Sequence, residues 1–131
     1  GFYVTPIKEQ AVNWSRRFKK NKGRGIVSAY EFDLEGAKKE ASFMEFKEYS
    51  EDWLEYIMKC RKGQGKDEYD IIIGGVANDK VFNTIELYLE NLINKDEAIK
   101  RLRYEKPNLQ ICICNQAVIE KYVKFVKSEE F

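Results

Sequence analysis

Two aromatic residues near the start of the chain have the types and the spacing to hold a flat ring. Tyr3 lies in Gly1-Phe2-Tyr3-Val4-Thr5, a short run that reads as a strand, and Trp14 lies eleven positions later in a helical stretch. A strand Tyr and a helix Trp at that separation can face each other across a strand-to-helix corner and sandwich a heteroaromatic ring. The plainer alternative is a pair of core aromatics. Gln110 heads the last β-type run, where its amide can donate and accept hydrogen bonds or simply tie down a loop. Asp70 stands between Tyr69 and Ile71. Strand alternation puts it on the face opposite Ile71 and Ile73, where a carboxylate is solvated, capping or functional.

Several other chemistries are excluded. The chain has no His, so it cannot by itself assemble a Ser/His/Asp or Cys/His arrangement. Its three cysteines, Cys60, Cys112 and Cys114, leave at least one outside any internal disulfide, which points to a reducing, cytoplasmic compartment. Cys112 and Cys114 alternate with Ile111 and Ile113 and so share one strand face. With no His and only three thiols, no metal set is expected, and both read as small buried hydrophobes. Gly63-Gln64-Gly65 and Gly74-Gly75 lack the spacing and the following Lys-Ser/Thr of a phosphate loop.

The charge balance narrows the partners. Among 131 residues, 23 are basic and 22 acidic, for a net charge of +1. That balance argues against a whole-surface footprint for nucleic acid. The local clusters Arg16-Arg17-Phe18-Lys19-Lys20 and Lys59-Cys60-Arg61-Lys62 fall at predicted helix ends, where cations complement the dipole. No apolar run reaches the ~18 residues that suggest a membrane span, so no membrane partner is expected. The length suits a single domain over residues 1–131, burying roughly two-thirds of its unfolded surface.

The elements that must position these residues follow from periodicity and caps. Thr5-Pro6 starts a helix that runs to about Lys20, with Ile7, Ala11, Trp14 and Phe18 on one side. Ile26 to Asp33 and, more weakly, Ala41 to Phe46 read as strands. Ser50 caps a helix to about Lys62, with Trp53, Leu54, Ile57 and Met58 inward. Tyr69 to Gly74 is a strand, and Asn78 or Asp79 caps a helix with Val81, Ile85, Tyr88, Leu89 and Leu92. Asn94 and Glu97 have capping-box spacing before a helix that Pro107 stops. Leu109 to Cys114 is the last strand, and a closing helix from Asn115 turns Val118, Tyr122, Phe125 and Val126 inward. The order β-α-β-β-α-β-α-α-β-α predicts an α+β fold, with a mixed sheet of about five strands and flanking helices.

The segment Gly1-Phe2-Tyr3-Val4-Thr5, with Ala11 and Trp14, resembles the ADP-ribosyltransferase superfamily on its diphtheria-toxin and poly-ADP-ribose-polymerase branch. Nearly the whole chain also resembles an uncharacterised bacterial domain family grouped with those enzymes. That second likeness runs through Tyr69-Asp70-Ile71-Ile72-Ile73-Gly74, Val76-Ala77-Asn78-Asp79 and Gln110-Ile111-Cys112-Ile113. The resemblance implies an ADP-ribosyltransferase-like fold, and it implies NAD as substrate, with the nicotinamide ring between Tyr3 and Trp14 and the backbone of Gly1 in the same site. It places Gln110 at the position where the family carries a catalytic Glu. It also implies a first strand, bearing the family His, upstream of Gly1. Glu105 is nearer the preceding turn, separated by Pro107, and does not substitute.

The expected activity is cleavage of the nicotinamide–ribose bond and transfer of ADP-ribose to a macromolecular acceptor, in the manner of an intracellular toxin or effector. Gln110 brings no negative charge to the developing ribose cation, and Asp70 is a candidate to supply it. Arg16, Arg17 and Arg24 could grip the diphosphate. The alternative is a module that keeps the fold and binds a protein or ligand without turnover. A sheet edge left by the upstream strand would be covered by a partner, a second copy of the chain included.

Overall fold

The computed structural model describes residues 1–20, 23–64, 68–76, 79–103 and 108–131. Expectations for Asn21-Lys22, Gly65, Ala77-Asn78, Glu105 and Pro107 lie outside the described residues. Among the described residues twelve elements are present: β1 (Phe2–Val4), α1 (Lys8–Lys20), β2 (Ile26–Phe32), α2 (Leu34–Glu40), β3 (Phe43–Glu45), α3 (Glu51–Arg61), β4 (Ile71–Gly74), α4 (Asp79–Leu89), α5 (Lys95–Arg103), β5 (Gln110–Ile113), α6 (Gln116–Tyr122) and β6 (Val123–Glu130). The α+β expectation holds, with the strands divided between two sheets.

The main sheet has the order β1-β5-β4-β3. β5 is antiparallel to both β1 and β4, while β3 runs parallel to β4, so the sheet is mixed. Among the described residues β1 pairs with β5 alone and lies at the edge of the sheet. Alternation along β4 and β5 turns Ile71, Ile73, Ile111 and Ile113 to one face, where they are buried with Ala37 of α2 and Val118 of α6. Each such side chain contributes about 1.5–3 kcal/mol on burial. A second apolar cluster joins Trp53 and Leu54 of α3 to Val81, Ile85, Ala98 and Leu102 of α4 and α5. Gly74 lies between the two, within ordinary van der Waals reach of Phe46 and Trp53.

The helices begin where local chemistry stops other conformations. Ser50 accepts from the Trp53 N–H at 3.2 Å, with Glu51 and Asp52 complementing the dipole in the first turn. Asn94 accepts from the Glu97 N–H at 2.8 Å, but the Glu97 carboxylate turns to Arg101 at 3.0 Å. Only one arm of the capping box is therefore seen. α1 starts at Lys8, although Thr5 accepts from the Ile7 N–H at 3.1 Å just ahead of it.

Two elements differ from the sequence expectation. α2 forms between the strands expected at Ile26 to Asp33 and Ala41 to Phe46, where the sequence reading placed no element. There Asp33 caps the Gly36 N–H at 3.0 Å, and a Cβ on residue 36 would collide with that carboxylate. The expected closing helix ends at Tyr122 and is followed by β6, so Phe125 and Val126 are exposed rather than turned inward. The Tyr122 carbonyl accepts from the Asp33 N–H at 3.0 Å, and β2 pairs along β6 from Phe32↔Val123 to Ile26↔Glu130. Spacing at 118, 122, 125 and 126 suits a helix, but Val123, Phe125 and Val126 are also strand formers, and the partner strand decides.

Asp70 joins three parts of the fold. Its carboxylate accepts from the Ser42 N–H at 3.1 Å, ahead of β3, and from Asn115 Nδ2 at 3.3 Å, at the cap of α6. Replacing Asp70 with Ala should lower stability by about 1–3 kcal/mol. Urea unfolding should show it as a lower midpoint at unchanged slope.

Candidate functional site

The register of β1 against β5 brings most of the sequence-predicted residues together. Tyr3 lies opposite Cys112, so Gly1 and Tyr3 share the sheet face of Gln110, Cys112 and Cys114, opposite the buried isoleucines. Gln110 pairs with Gly74 across β4. Its side-chain amide has no protein hydrogen-bond partner among the described residues. The Gln10 side chain of α1 clamps the start of β5, donating to the Leu109 carbonyl and accepting from the Leu109 N–H, both at 3.1 Å. Trp14 follows Gln10 by one turn on the same side of α1. The amide clamp thus ties the Trp-bearing helix to the strand that carries Gln110.

Tyr3 is 61% exposed and Trp14 55% exposed, which removes the core-aromatic alternative for both. The Arg17 guanidinium lies over the Trp14 ring, 4.2 Å from its centre, an arrangement that presents a cation and a π-face together. Arg16 is tied to Asn13 at 3.2 Å. The neighbouring Cys112 sulfur first, then partial burial, and more weakly Cys114 and Cys60 hold the Tyr3 phenol above its ordinary range. Gly1 has a structural reason beside any ligand, because a Cβ there would lie 2.5 Å from Cys112 Sγ.

Cys112 and Cys114 are not the buried hydrophobes that their alternation with isoleucine suggested. Cys112 is half-buried and Cys114 exposed, because the isoleucines take the covered face and the sulfurs take the open one. Their sulfurs are 3.5 Å apart. On α3, the buried Tyr56 hydroxyl lies beside Cys60, and burial followed by Cys60 pushes its phenol up.

Asp70 does not serve Gln110. Ile71, Ile72 and Ile73 separate it from Gly74, the partner of Gln110, and the four residue steps put it about 13 Å along the strand. It instead lines a separate cleft of ≈ 180 Å³ with Glu40, Asn115, Lys121 and Tyr122. Lys121 binds Glu40 at 2.8 Å, the Tyr122 hydroxyl donates to the same carboxylate, and both hold Glu40 below its ordinary range. The polar groups of that cleft satisfy one another.

Sequence reasoning missed Gln10, whose backbone partner is ninety-nine residues away, and Asn108. The Asn108 side chain accepts from the Val76 N–H at 2.7 Å and from the Tyr49 hydroxyl at 3.1 Å, pinning the chain before β5 to the end of β4. Neither has a periodic signal, since one amide in a helix or loop is locally unremarkable. The Cys112 contact yields a prediction: Cys112→Ser should bring the Tyr3 phenol down toward its ordinary value near 10. A titration followed by NMR of ring-labelled Tyr measures the shift.

The comparisons with known proteins give a family without an activity. Residues 1–125 match a family described as protein of unknown function, DUF3990. No curated protein and no solved structure matches the chain. With all but the last residues of the sequence covered, the chain belongs to the DUF3990 family.

Proposed function

We propose that the domain binds NAD across the β1–β5 edge, with the nicotinamide ring between Tyr3 and Trp14, and transfers ADP-ribose to a macromolecular acceptor. The observation that carries this reading is the exposure of Tyr3 on the open sheet face that bears Gln110, with Trp14 likewise exposed on the helix that Gln10 ties to the head of β5. Side chains of that size left uncovered have apolar area to offer a ligand ring. The likeness of the first fourteen residues to the ADP-ribosyltransferase superfamily supports the choice of nicotinamide. Arg17, stacked on Trp14, is suitably placed for the diphosphate.

Gln110 would hydrogen-bond a ribose hydroxyl through its amide, orienting the sugar as its bond to nicotinamide breaks. It offers no charge to the developing cation. A unit charge ~4 Å away at an effective dielectric of ~20 contributes up to about 4 kcal/mol, or roughly a thousandfold in rate. The absence of that charge favours a second reading, in which the domain binds its ligand without turnover.

Calorimetric titration with NAD tests the binding step. Tyr3→Ala and Trp14→Ala should each weaken NAD by roughly tenfold or more, the loss of one ring contact. Unchanged affinity in both would end the assignment. Gln110→Glu then separates the two readings. Nicotinamide release rising by up to about a thousandfold supports a transferase site lacking its charge, while no release from either form supports the binding module.

A further inference from the structure

We propose that Cys112 and Cys114 form a two-thiolate chelate for one thiophilic d10 metal ion, on the open face of the sheet beside Gly1 and Tyr3. The pair meets the geometric needs of a chelate better than those of a disulfide. Two residues of extended chain set the Cα atoms about 6.7 Å apart, at the far end of the range a disulfide spans. The Cys114 N–H donates to the Asp70 carbonyl at 2.8 Å, which holds Cys114 against β4 and opposes closure. The sulfurs nonetheless stand 3.5 Å apart. Two metal–sulfur bonds of about 2.3 Å spanning that gap meet at about 100°, close to the tetrahedral angle.

The surroundings suit such an ion. Cys112 is half-buried and Cys114 exposed, so the site has both a wall and an opening. Thiolate sulfur selects soft and borderline d10 ions over the hard cations. Binding forms two metal–sulfur bonds and releases two thiol protons to solvent, with no change of oxidation state. Among the described residues no group of three His, Cys, Asp or Glu side chains converges as a metal set, so the remaining positions on the ion would be filled by water or an incoming ligand. The sequence alone set metal aside for want of His and of a fourth thiol, and read both sulfurs as buried. The proposal does not depend on NAD binding.

Titration of the reduced protein with Cd(II), followed by the thiolate-to-cadmium absorption, tests it. One equivalent should bind, and Cys112→Ser or Cys114→Ser should each weaken it by at least about tenfold. Cys60→Ser should leave it unchanged. No absorption from the folded protein, binding as tight in either β5 variant as in the unmodified chain, or an equal loss in Cys60→Ser would overturn the two-thiolate assignment. Phenylarsine oxide gives a check that needs no variant. Capture reversed by a dithiol but resisting a monothiol supports a chelate, and release by the monothiol overturns it.

Discussion

The antiparallel pairing of β4 with β5 is the constraint from which the other features follow. Ile71 lies opposite Ile113 and Ile73 opposite Ile111, so four branched side chains form one buried layer. Such a layer fixes register, because a slip of one residue would turn every isoleucine to the other face. With the isoleucines fixed inward, Gln110, Cys112 and Cys114 must point outward. β1 then adds Tyr3 opposite Cys112. The open face is thus a consequence of the covered one.

Amide and carboxylate side chains bring distant segments to this sheet. Gln10 completes both backbone hydrogen bonds of Leu109, as a neighbouring strand would, and fixes α1 near the head of β5. Asn108 joins the Val76 N–H and the Tyr49 hydroxyl, and Asp70 joins the approach to β3 with the cap of α6. These contacts sit at strand ends, where backbone groups would otherwise be left to loops. The two ends of the sheet consequently differ. One holds Gln110, whose amide has no partner among the described residues; the other holds a cleft whose polar groups bond one another.

The two-stranded β2–β6 ribbon meets the sheet through aromatic contacts. Phe2 packs edge-on against Tyr30, with centroids 5.4 Å apart, and Tyr30 against Phe125 at 5.6 Å. Phe2 and Tyr3 therefore have opposite fates on adjacent positions of β1. One packs into the join between the sheets, and the other is left on the open face. That division follows from the pleat.

The sequence by itself determined the local elements: the Ser50 and Asn94 caps, the apolar stripe of α3, the Val81 and Ile85 part of the α4 stripe (Leu89 and Leu92 are exposed), the alternation in β5, and hence an α+β fold. It also determined that Tyr3 lies in a strand, that Gln110 heads one and that no His is available. Only the tertiary structure decided which face of β5 is covered, because a period of two separates faces without saying which one meets helices. It likewise decided that Phe125 and Val126 extend a strand, since the outcome rested on β2, about a hundred residues earlier in the chain. Gln10 became a clamp for the same reason. Hydrogen bonds and strand pairings between distant segments leave no periodic trace, whereas caps and apolar stripes are set by neighbours within a few residues.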